Sequence, residues 1–227
     1  MDNIQYLSQF NLLHALSQED LAEMDEMTSI TTVPKHTFIQ TPDTFTEGLY
    51  FVKRGKVRLY RLNAEGKQFT LDILSEGNIF GEMKGISLGT REIYIETIEE
   101  CDICIMDTNR FERFLLERPR FMMTMMHVIS ERLALMSSLA QNLALGKLHD
   151  KILHAVIKLS GQFGLQEDND YYRIDLPLSQ QELAHLVGAT REAVAVALQE
   201  LAEAKVIKTG FRTVYIHREA LNARNLL

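Results

Sequence analysis

Hydrophobic and polar residues alternate with two different periods along the chain, which divides it into a strand-rich part and helical parts. Over residues 5–28 the apolar positions have helical spacing, so we expect short N-terminal helices. From about Thr31 the pattern changes to short β-rich runs separated by turn sequences such as TPDTF, KRGK and SEGN. These runs are HTFIQ, GLYFVKRGKVRLYRLN, KQFTLDIL, EIYIETI and CDICIMD. Short strands at this spacing predict a small antiparallel barrel or sandwich.

A long helical segment follows, from about Asn109 to Leu145, with one break near Pro119. Its apolar side chains recur every three or four residues, which is the spacing of a seam between two helices. We therefore predict a dimerisation helix, and a helix that packs on its own domain is the alternative. Arg132 stands alone in the stripe, where an ionised side chain needs a carboxylate across the dimer or a bound ligand. The predicted seam residues are Met122, Met125, Ile129, Met136, Leu139 and Leu143.

The most informative segment is residues 178–208, which predicts two short helices joined by a tight turn. Gly146 is a candidate hinge before it, and the run KLHDKILHAVIKLSGQFG and the strand YRIDLPL lie between. Ser179 and Glu182 form an S-x-x-E capping box, Gly188 supplies the turn, and Thr190 caps the second helix. The apolar side of that helix is Val194, Ala197, Leu198 and Leu201. This arrangement is typical of a helix-turn-helix.

The outer side of the second helix would face the major groove of DNA, as a recognition helix does. Its residues are Arg191, Glu192, Ala195, Val196 and Gln199. The following sequence VIKTGFRTVYIHR predicts a hairpin around Gly210, and Lys208 and Arg212 would lie beside its turn as in a wing. A helical hairpin with no role in DNA binding is the alternative interpretation.

Composition and charge fit this division of the chain. The 227 residues suffice for one or two domains, and 46% hydrophobic with 24% charged residues is globular composition. The net charge of −7 argues against non-specific coating of nucleic acid. However, residues 147–227 hold 10 basic and 10 acidic side chains, whereas residues 1–146 hold 14 and 21. The neutral C-terminal part can bind DNA if its cations share one face.

Several classes of protein are disfavoured by the sequence. No apolar run is long enough for a membrane span, and the N-terminus MDNIQYLSQF lacks the pattern of a signal peptide, so we expect a cytoplasmic protein. Cys101 and Cys104 are three apart in a predicted strand and should face opposite ways, which disfavours a disulfide or a shared metal. We expect no enzyme, because no nucleophile–base pair, metal-ligand spacing or Walker-type phosphate loop is present.

In this order, the segments resemble the bacterial Crp/Fnr family of transcription regulators. LYFVKRGKVRLYRL and EGKQFTLDILSEGNIFGE resemble the family's cyclic-nucleotide-binding-type barrel, and LSQQELAHLVGATREAVAVALQEL resembles its winged helix-turn-helix. The resemblance implies an α+β fold: a jelly-roll barrel in an effector-sensing domain over residues 1–108, a dimerisation helix and hinge over 109–146, and a DNA-binding domain over 147–227. It also implies a homodimer, a palindromic operator on double-stranded DNA and, for an activator, contact with RNA polymerase.

The resemblance also implies roles for individual residues at the DNA. Arg191 and Glu192 fall where recognition-helix residues contact base edges. Ser179, Gln180 and Thr190 would hold phosphates at the helix starts. Val196 departs from the family pattern, in which an arginine is common nearby, and an apolar Ala195–Val196 pair would suit a thymine methyl group.

The stretch FGEMKGISLGTREIYIE corresponds to the family's phosphate-binding cassette. Gly81, Glu82 and Arg91 match that pattern, whereas Lys84 and Glu92 replace a small residue and a hydroxyl. A carboxylate 4 Å from a bound phosphate opposes it by roughly 4 kcal/mol at an effective dielectric of 20, so Glu92 disfavours a cyclic nucleotide. In the long helix, Met136 also stands where a hydroxyl contacts the base in the best-known cyclic-AMP binder.

The sequence also bears on effectors other than a cyclic nucleotide. Two cysteines cannot supply the four thiolates of an iron–sulfur cluster. Haem bound through His36, His127 or His149 is an alternative, as is a cyclic-AMP response. The hypothesis that we favour is an unidentified small molecule, anchored by Arg91 or Arg132 beside apolar side chains of the helix, or no effector at all. We expect no resident metal.

Overall fold

The computed structural model describes residues 17–83, 86–168 and 170–223. Contacts within the chain define two units, and the boundary between them lies inside the long helix, between Leu133 and Ala134. The predicted helices before Ser17 and the departure at Lys84 lie outside the described residues.

The N-terminal unit is built from β-strands followed by helices. Its elements are helix α1 (Gln18–Met27), strands β1 (Thr28–Val33), β2 (Phe38–Gln40), β3 (Gly48–Arg54), β4 (Val57–Leu62), β5 (Gln68–Leu74), β6 (Ile79–Met83), β7 (Ile86–Ser87), β8 (Tyr94–Thr97) and β9 (Cys101–Met106), helix α2 (Thr108–Glu117), and the first half of helix α3 (Pro119–Leu145). A five-stranded sheet has the order β1-β9-β3-β6-β7, and a four-stranded sheet has the order β2-β8-β4-β5. All pairs are antiparallel, so the predicted jelly-roll barrel is confirmed.

The five-stranded sheet carries a hydrophobic core on each of its faces. One core lies between the two sheets and includes Val52, Phe80 and Ile103. The other joins the opposite face to helices α2 and α3, through a group of aromatic rings at Phe111, Phe114 and Phe121. Strands β3 and β9 alternate between the two cores, which is why their sequences are apolar at successive positions.

The two cysteines follow this alternation. Cys101 lies in the core between the sheets and Cys104 lies in the core under the helices. Both are buried free thiols, and they face opposite sides of the sheet as the alternation predicts. Burial raises the pKa of the Cys101 thiol, so the thiolate form is disfavoured.

Strand β6 leaves no room for a side chain at Gly81, where it pairs with β3. Its φ of +107° lies in a region that L side chains rarely adopt, and a Cβ there would overlap the carbonyl oxygen of Gly48. Only glycine therefore allows the two strands to pair at this point.

Helix α3 has a buried face and an exposed apolar stripe. Met125 is 3% exposed and packs in the core with the three phenylalanines, so the prediction of Met125 as a seam residue is wrong. The exposed stripe runs at spacings of three and four residues through Met126, Ile129, Leu133, Met136 and Ala140, and the half-buried Leu143 continues the same row. Met122, Leu139 and Leu143 are half-buried within the single chain.

The C-terminal unit combines helices with a small antiparallel sheet. Its elements are helix α4 (Leu148–Phe163), strands β10 (Gly164–Gln166) and β11 (Tyr171–Ile174), helices α5 (Gln180–Val187) and α6 (Arg191–Glu203), strands β12 (Ile207–Gly210) and β13 (Thr213–His217), and helix α7 (Arg218–Ala223). The sheet order is β10-β11-β13-β12. Helix α4 packs on the two short helices through Ile152, Val156 and Leu159, which are at most 2% exposed. Among the described helices, none is long and apolar enough to span a membrane.

Candidate functional site

Helices α5 and α6 begin at the caps that the sequence predicts. Ser179 Oγ accepts a hydrogen bond from the Glu182 amide at 3.2 Å, and the Glu182 carboxylate accepts one from the Ser179 amide at 2.9 Å. Thr190 Oγ1 likewise accepts from the Ala193 amide at 3.2 Å. Gly188, with φ of +67°, makes the turn between them. These bonds satisfy amides that would otherwise lack partners and so fix both helix starts.

Helix α6 has a buried side and a polar side, as predicted. Val194, Ala197, Leu198 and Leu201 are buried, and each is at most 8% exposed. Arg191, Glu192 and Gln199 are exposed, Ala195 is half-buried, and Val196 is 59% exposed. Gln199 donates to the Glu203 carboxylate at 3.0 Å. The accessible side of helix α6 thus carries the guanidinium of Arg191, the carboxylate of Glu192, the amide of Gln199 and an apolar pair, Ala195 and Val196.

The wing hairpin turns at Phe211 and Arg212. Gly210 pairs with Thr213 across the turn, and the residue with positive φ is Arg212, at +52°. The prediction of a turn around Gly210 is therefore shifted by one residue. The Arg212 carbonyl accepts from the Leu178 amide at 2.9 Å, and its guanidinium lies 3.8 Å from Glu182. These contacts attach the wing to the start of helix α5.

The other predicted wing cation, Lys208, has a local partner. Its ammonium lies 3.5 Å from the centre of the Tyr171 ring, a cation–π contact at the base of the hairpin. Lys208 is exposed but is directed to this ring, whereas Arg212 is at the tip.

A groove lies between helix α6, the start of helix α5 and the wing. Its volume is about 870 Å³, and Gln180, Arg191, Val196, Phe211 and Arg212 are among its lining residues. The structure thus brings together most of the residues predicted to bind DNA, and adds Phe211, which sequence reasoning missed. Phe211 is 93% exposed.

The cassette in the barrel places Glu82 against the backbone of the loop before β8. Glu82 is buried, and its Oε1 accepts from the amides of Thr90 and Arg91 at 3.1 and 2.7 Å. Gln40, also buried, donates to the Thr90 carbonyl at 2.5 Å. Gly81, Glu82 and Arg91 are therefore neighbours, as the sequence predicts. In this chain, however, the carboxylate of Glu82 stabilises a loop.

The Arg91 guanidinium already faces carboxylates of its own chain. It lies 3.8 Å from Glu47 and 3.7 Å from Glu82, and 5.3 Å from the centre of the Phe45 ring. Glu92, predicted to oppose a ligand there, instead points to solvent and lies 3.5 Å from Arg61. The carboxylates that pair with the Arg91 guanidinium are therefore those of Glu47 and Glu82, whereas the sequence predicts Glu92. Glu47 lies in a loop that is distant from Arg91 in the sequence.

The remaining candidates for an effector site lie on separate elements. Met136 is 50% exposed on the stripe of α3, and the side chain of Arg132 lies outside the described residues. His36 lies 3.6 Å from Glu96, and His149 lies 2.5 Å from Glu200 on helix α6. Among the described side chains, no group of His, Cys, Asp and Glu could hold a metal ion.

Comparison with protein-family models gives two matches. Residues 30–118 match the cyclic nucleotide-binding domain, and residues 150–224 match the Crp-like helix-turn-helix domain. The probable transcriptional regulator flp of Lacticaseibacillus casei is 26% identical over 215 residues, which is 95% of this chain and 93% of that protein. The CRP-like cAMP-activated global transcriptional regulator of Mycobacterium tuberculosis is 29% identical over 177 residues, 76% of this chain and 79% of that protein.

Solved structures share the fold. A CooA mutant from Carboxydothermus hydrogenoformans matches with a TM-score of 0.76 at 22% identity, over 95% of this chain and 94% of that one. The c-di-GMP responsive global regulator CLP of Xanthomonas campestris matches with a TM-score of 0.72 at 22% identity, over 88% and 99%. At these identities the likeness concerns the fold alone.

Proposed function

The chain belongs to the Crp/Fnr family of DNA-binding transcription regulators, and we propose that it acts as a homodimer that recognises an inverted-repeat operator. The observation that carries this proposal is the exposed side of helix α6, whose start is capped and whose opposite side is fully packed. Two such helices, related by a twofold axis, would enter successive major grooves about one helical turn apart.

Dimerisation is supported by the stripe on helix α3. Leu133 and Met136 are 68% and 50% exposed in the single chain, and large apolar side chains in a continuous row favour burial against a partner. The spacing of three and four residues suits a second copy of the same helix. We therefore assign the stripe from Met126 to Leu143 as the dimer seam, between a sensing domain over 1–108 and a DNA-binding domain over 147–227.

Sequence readout would come from the accessible side chains of helix α6. Arg191 can donate two hydrogen bonds to a guanine, Glu192 can accept from a cytosine amino group, and Val196 can contact a thymine methyl group. Ser179 and Thr190, at the helix starts, lie where a phosphate would meet free amides. Phosphate contacts would give affinity, and the three α6 side chains would give specificity.

Selection of binding sites tests this proposal directly. Genomic fragments that the purified protein retains should share an inverted repeat, and affinity should fall as salt rises. Arg191→Ala should weaken binding to the selected site by about 10-fold to 100-fold and relax the preference at one base pair. Arg218→Ala, an exposed arginine beyond the end of β13, is the matched control and should bind as the parent does. Retained fragments with no common repeat would contradict the proposal.

For the barrel, we propose a small-molecule effector that is not a cyclic nucleotide. What supports this is that Arg91, the candidate phosphate anchor, lies between the carboxylates of Glu47 and Glu82. A bound phosphate would have to displace Glu47 or accept its repulsion. Calorimetry with cyclic AMP should accordingly show no binding at micromolar concentration. Stoichiometric binding would refute this part of the proposal and favour a cyclic-AMP-responsive regulator. If candidate metabolites and cell extracts change neither melting temperature nor operator affinity, no small-molecule switch operates.

A further inference from the structure

The tip of the wing exposes an aromatic ring to solvent. Phe211 is 93% exposed, more than any other described large hydrophobic side chain. Full burial of a phenylalanine is favourable by about 1.5–3 kcal/mol, and here nearly all of that remains unrealised in the free chain. A ring in this position is therefore available to a partner.

The backbone that carries this ring is held in place. Thr213 Oγ1 donates to the Phe211 carbonyl at 3.0 Å, and the Leu178 amide donates to the Arg212 carbonyl at 2.9 Å. Arg212 adopts a left-handed conformation that costs a non-glycine residue about 1 kcal/mol. These bonds hold the backbone of the turn, so burial of the ring would restrict mainly the rotamers of the Phe211 side chain itself.

The groove beside helix α6 indicates what the ring would meet. An α-helix with its side chains is about 10–12 Å across and fills a major groove about 12 Å wide, so a second element cannot enter the same groove. The wing is separated from helix α6 by the groove of about 870 Å³, which Arg191 and Arg212 line from opposite sides. When the helix lies in the major groove, this space would contain one sugar–phosphate strand. The wing tip would then reach the minor groove beyond that strand.

We propose that Phe211 is a DNA-contacting residue that inserts its ring into the minor groove beside each half-site. Apolar side chains inserted there partly unstack a base step and bend the duplex, at lowest cost where the step is flexible, such as TA or CA. Phe211 would thus add a preference for flexible flanking sequence, and a bend, to the readout by helix α6. This inference rests on the proposed function, because it requires helix α6 to occupy the adjacent major groove.

The test uses the full-length protein and the duplex that the parent protein selects from a random library. Phe211→Ala should bind that duplex about 10-fold to 100-fold more weakly by fluorescence anisotropy. The slope of log affinity against log salt should not change, because no charge is removed. Arg212→Ala should instead reduce the slope by about one. Phe211→Leu, which keeps an apolar side chain, should bind within about threefold of the parent. Circular dichroism melting checks that each variant folds.

Position and bending provide a second readout. With 2-aminopurine in the flanking step, binding of the parent should raise its fluorescence by unstacking it, and Phe211→Ala should not. The bend measured by energy transfer between the duplex ends should decrease in Phe211→Ala. The proposal is overturned if Phe211→Ala matches the parent in affinity, fluorescence and bend. It is also overturned if this variant binds DNA normally and loses only transcription with RNA polymerase, which would assign the ring to a protein. If the parent selects no sequence at all, the proposed function fails first.

Discussion

Truncation of Leu133 should weaken the dimer far more than truncation of an equally exposed leucine elsewhere. Leu133 and Leu116 are both 68% exposed, but Leu133 lies in the centre of the stripe on helix α3 and Leu116 lies outside it, on helix α2. Leu→Ala removes three carbon atoms, at about 0.8 kcal/mol each when fully buried. If about two-thirds of that burial occurs at the seam, Leu133→Ala removes about 1–2 kcal/mol of association free energy per chain.

In the proposed dimer, symmetry would double this effect, because a twofold axis would place Leu133 of both chains in the same interface. The dimer dissociation constant should therefore rise by roughly 30-fold to 1,000-fold in Leu133→Ala. Sedimentation equilibrium over a concentration series measures this constant, and Leu116→Ala is the matched control. Equal dimer constants for the two variants would refute the assignment of the seam, as would a parent protein that is monomeric at high concentration.

Two further predictions concern the stability of the barrel. Gly81→Ala should lower the free energy of unfolding by several kcal/mol, because the new Cβ would overlap the Gly48 carbonyl. Gly89 also has a positive φ but lies in open space, so Gly89→Ala should lower the free energy of unfolding by only about 1 kcal/mol. Urea denaturation measures both values, and equal values would contradict this reasoning. Hydrogen bonds from Arg54 and then Thr32 hold the pKa of Asp102 below its usual value of 3.8. The stability that this carboxylate contributes is present above that value and is lost as pH falls through the lower folded-state pKa. Acid titration in urea should therefore show a smaller loss of stability below pH 4 in Asp102→Asn than in the parent.

The sequence predicts local features well where they depend on neighbouring residues. The capping box at Ser179, the cap at Thr190 and the turn at Gly188 are all in place, because each needs only contacts within a few residues. The alternation that separates Cys101 from Cys104 is equally local. The order of strand-rich and helical segments likewise predicts an antiparallel barrel or sandwich, and the family resemblance adds the jelly-roll fold.

The features that the sequence did not predict depend on distant partners. The β-rich pattern is expected from about Thr31 with HTFIQ as its first run, yet all six residues of Thr28–Val33 already form an edge strand that pairs with β9. The apolar spacing of helix α3 does not distinguish the face that meets the phenylalanine cluster from the face left exposed, and this is why the seam predicted from it includes the buried Met125. Glu47 lies in a loop more than forty residues before Arg91 in the sequence, and no local sequence pattern predicts that the two side chains meet.

Because the five-stranded sheet is buried on both faces, its two cysteines can report separately on the opening of each face. A reagent can alkylate Cys101 only when the two sheets separate, and Cys104 only when the helices lift from the other face. The two labelling rates, measured by mass spectrometry, would therefore give separate opening free energies for the barrel interior and for the helical layer. A change in one rate alone, on addition of a candidate effector or of operator DNA, would show which layer of the N-terminal unit responds.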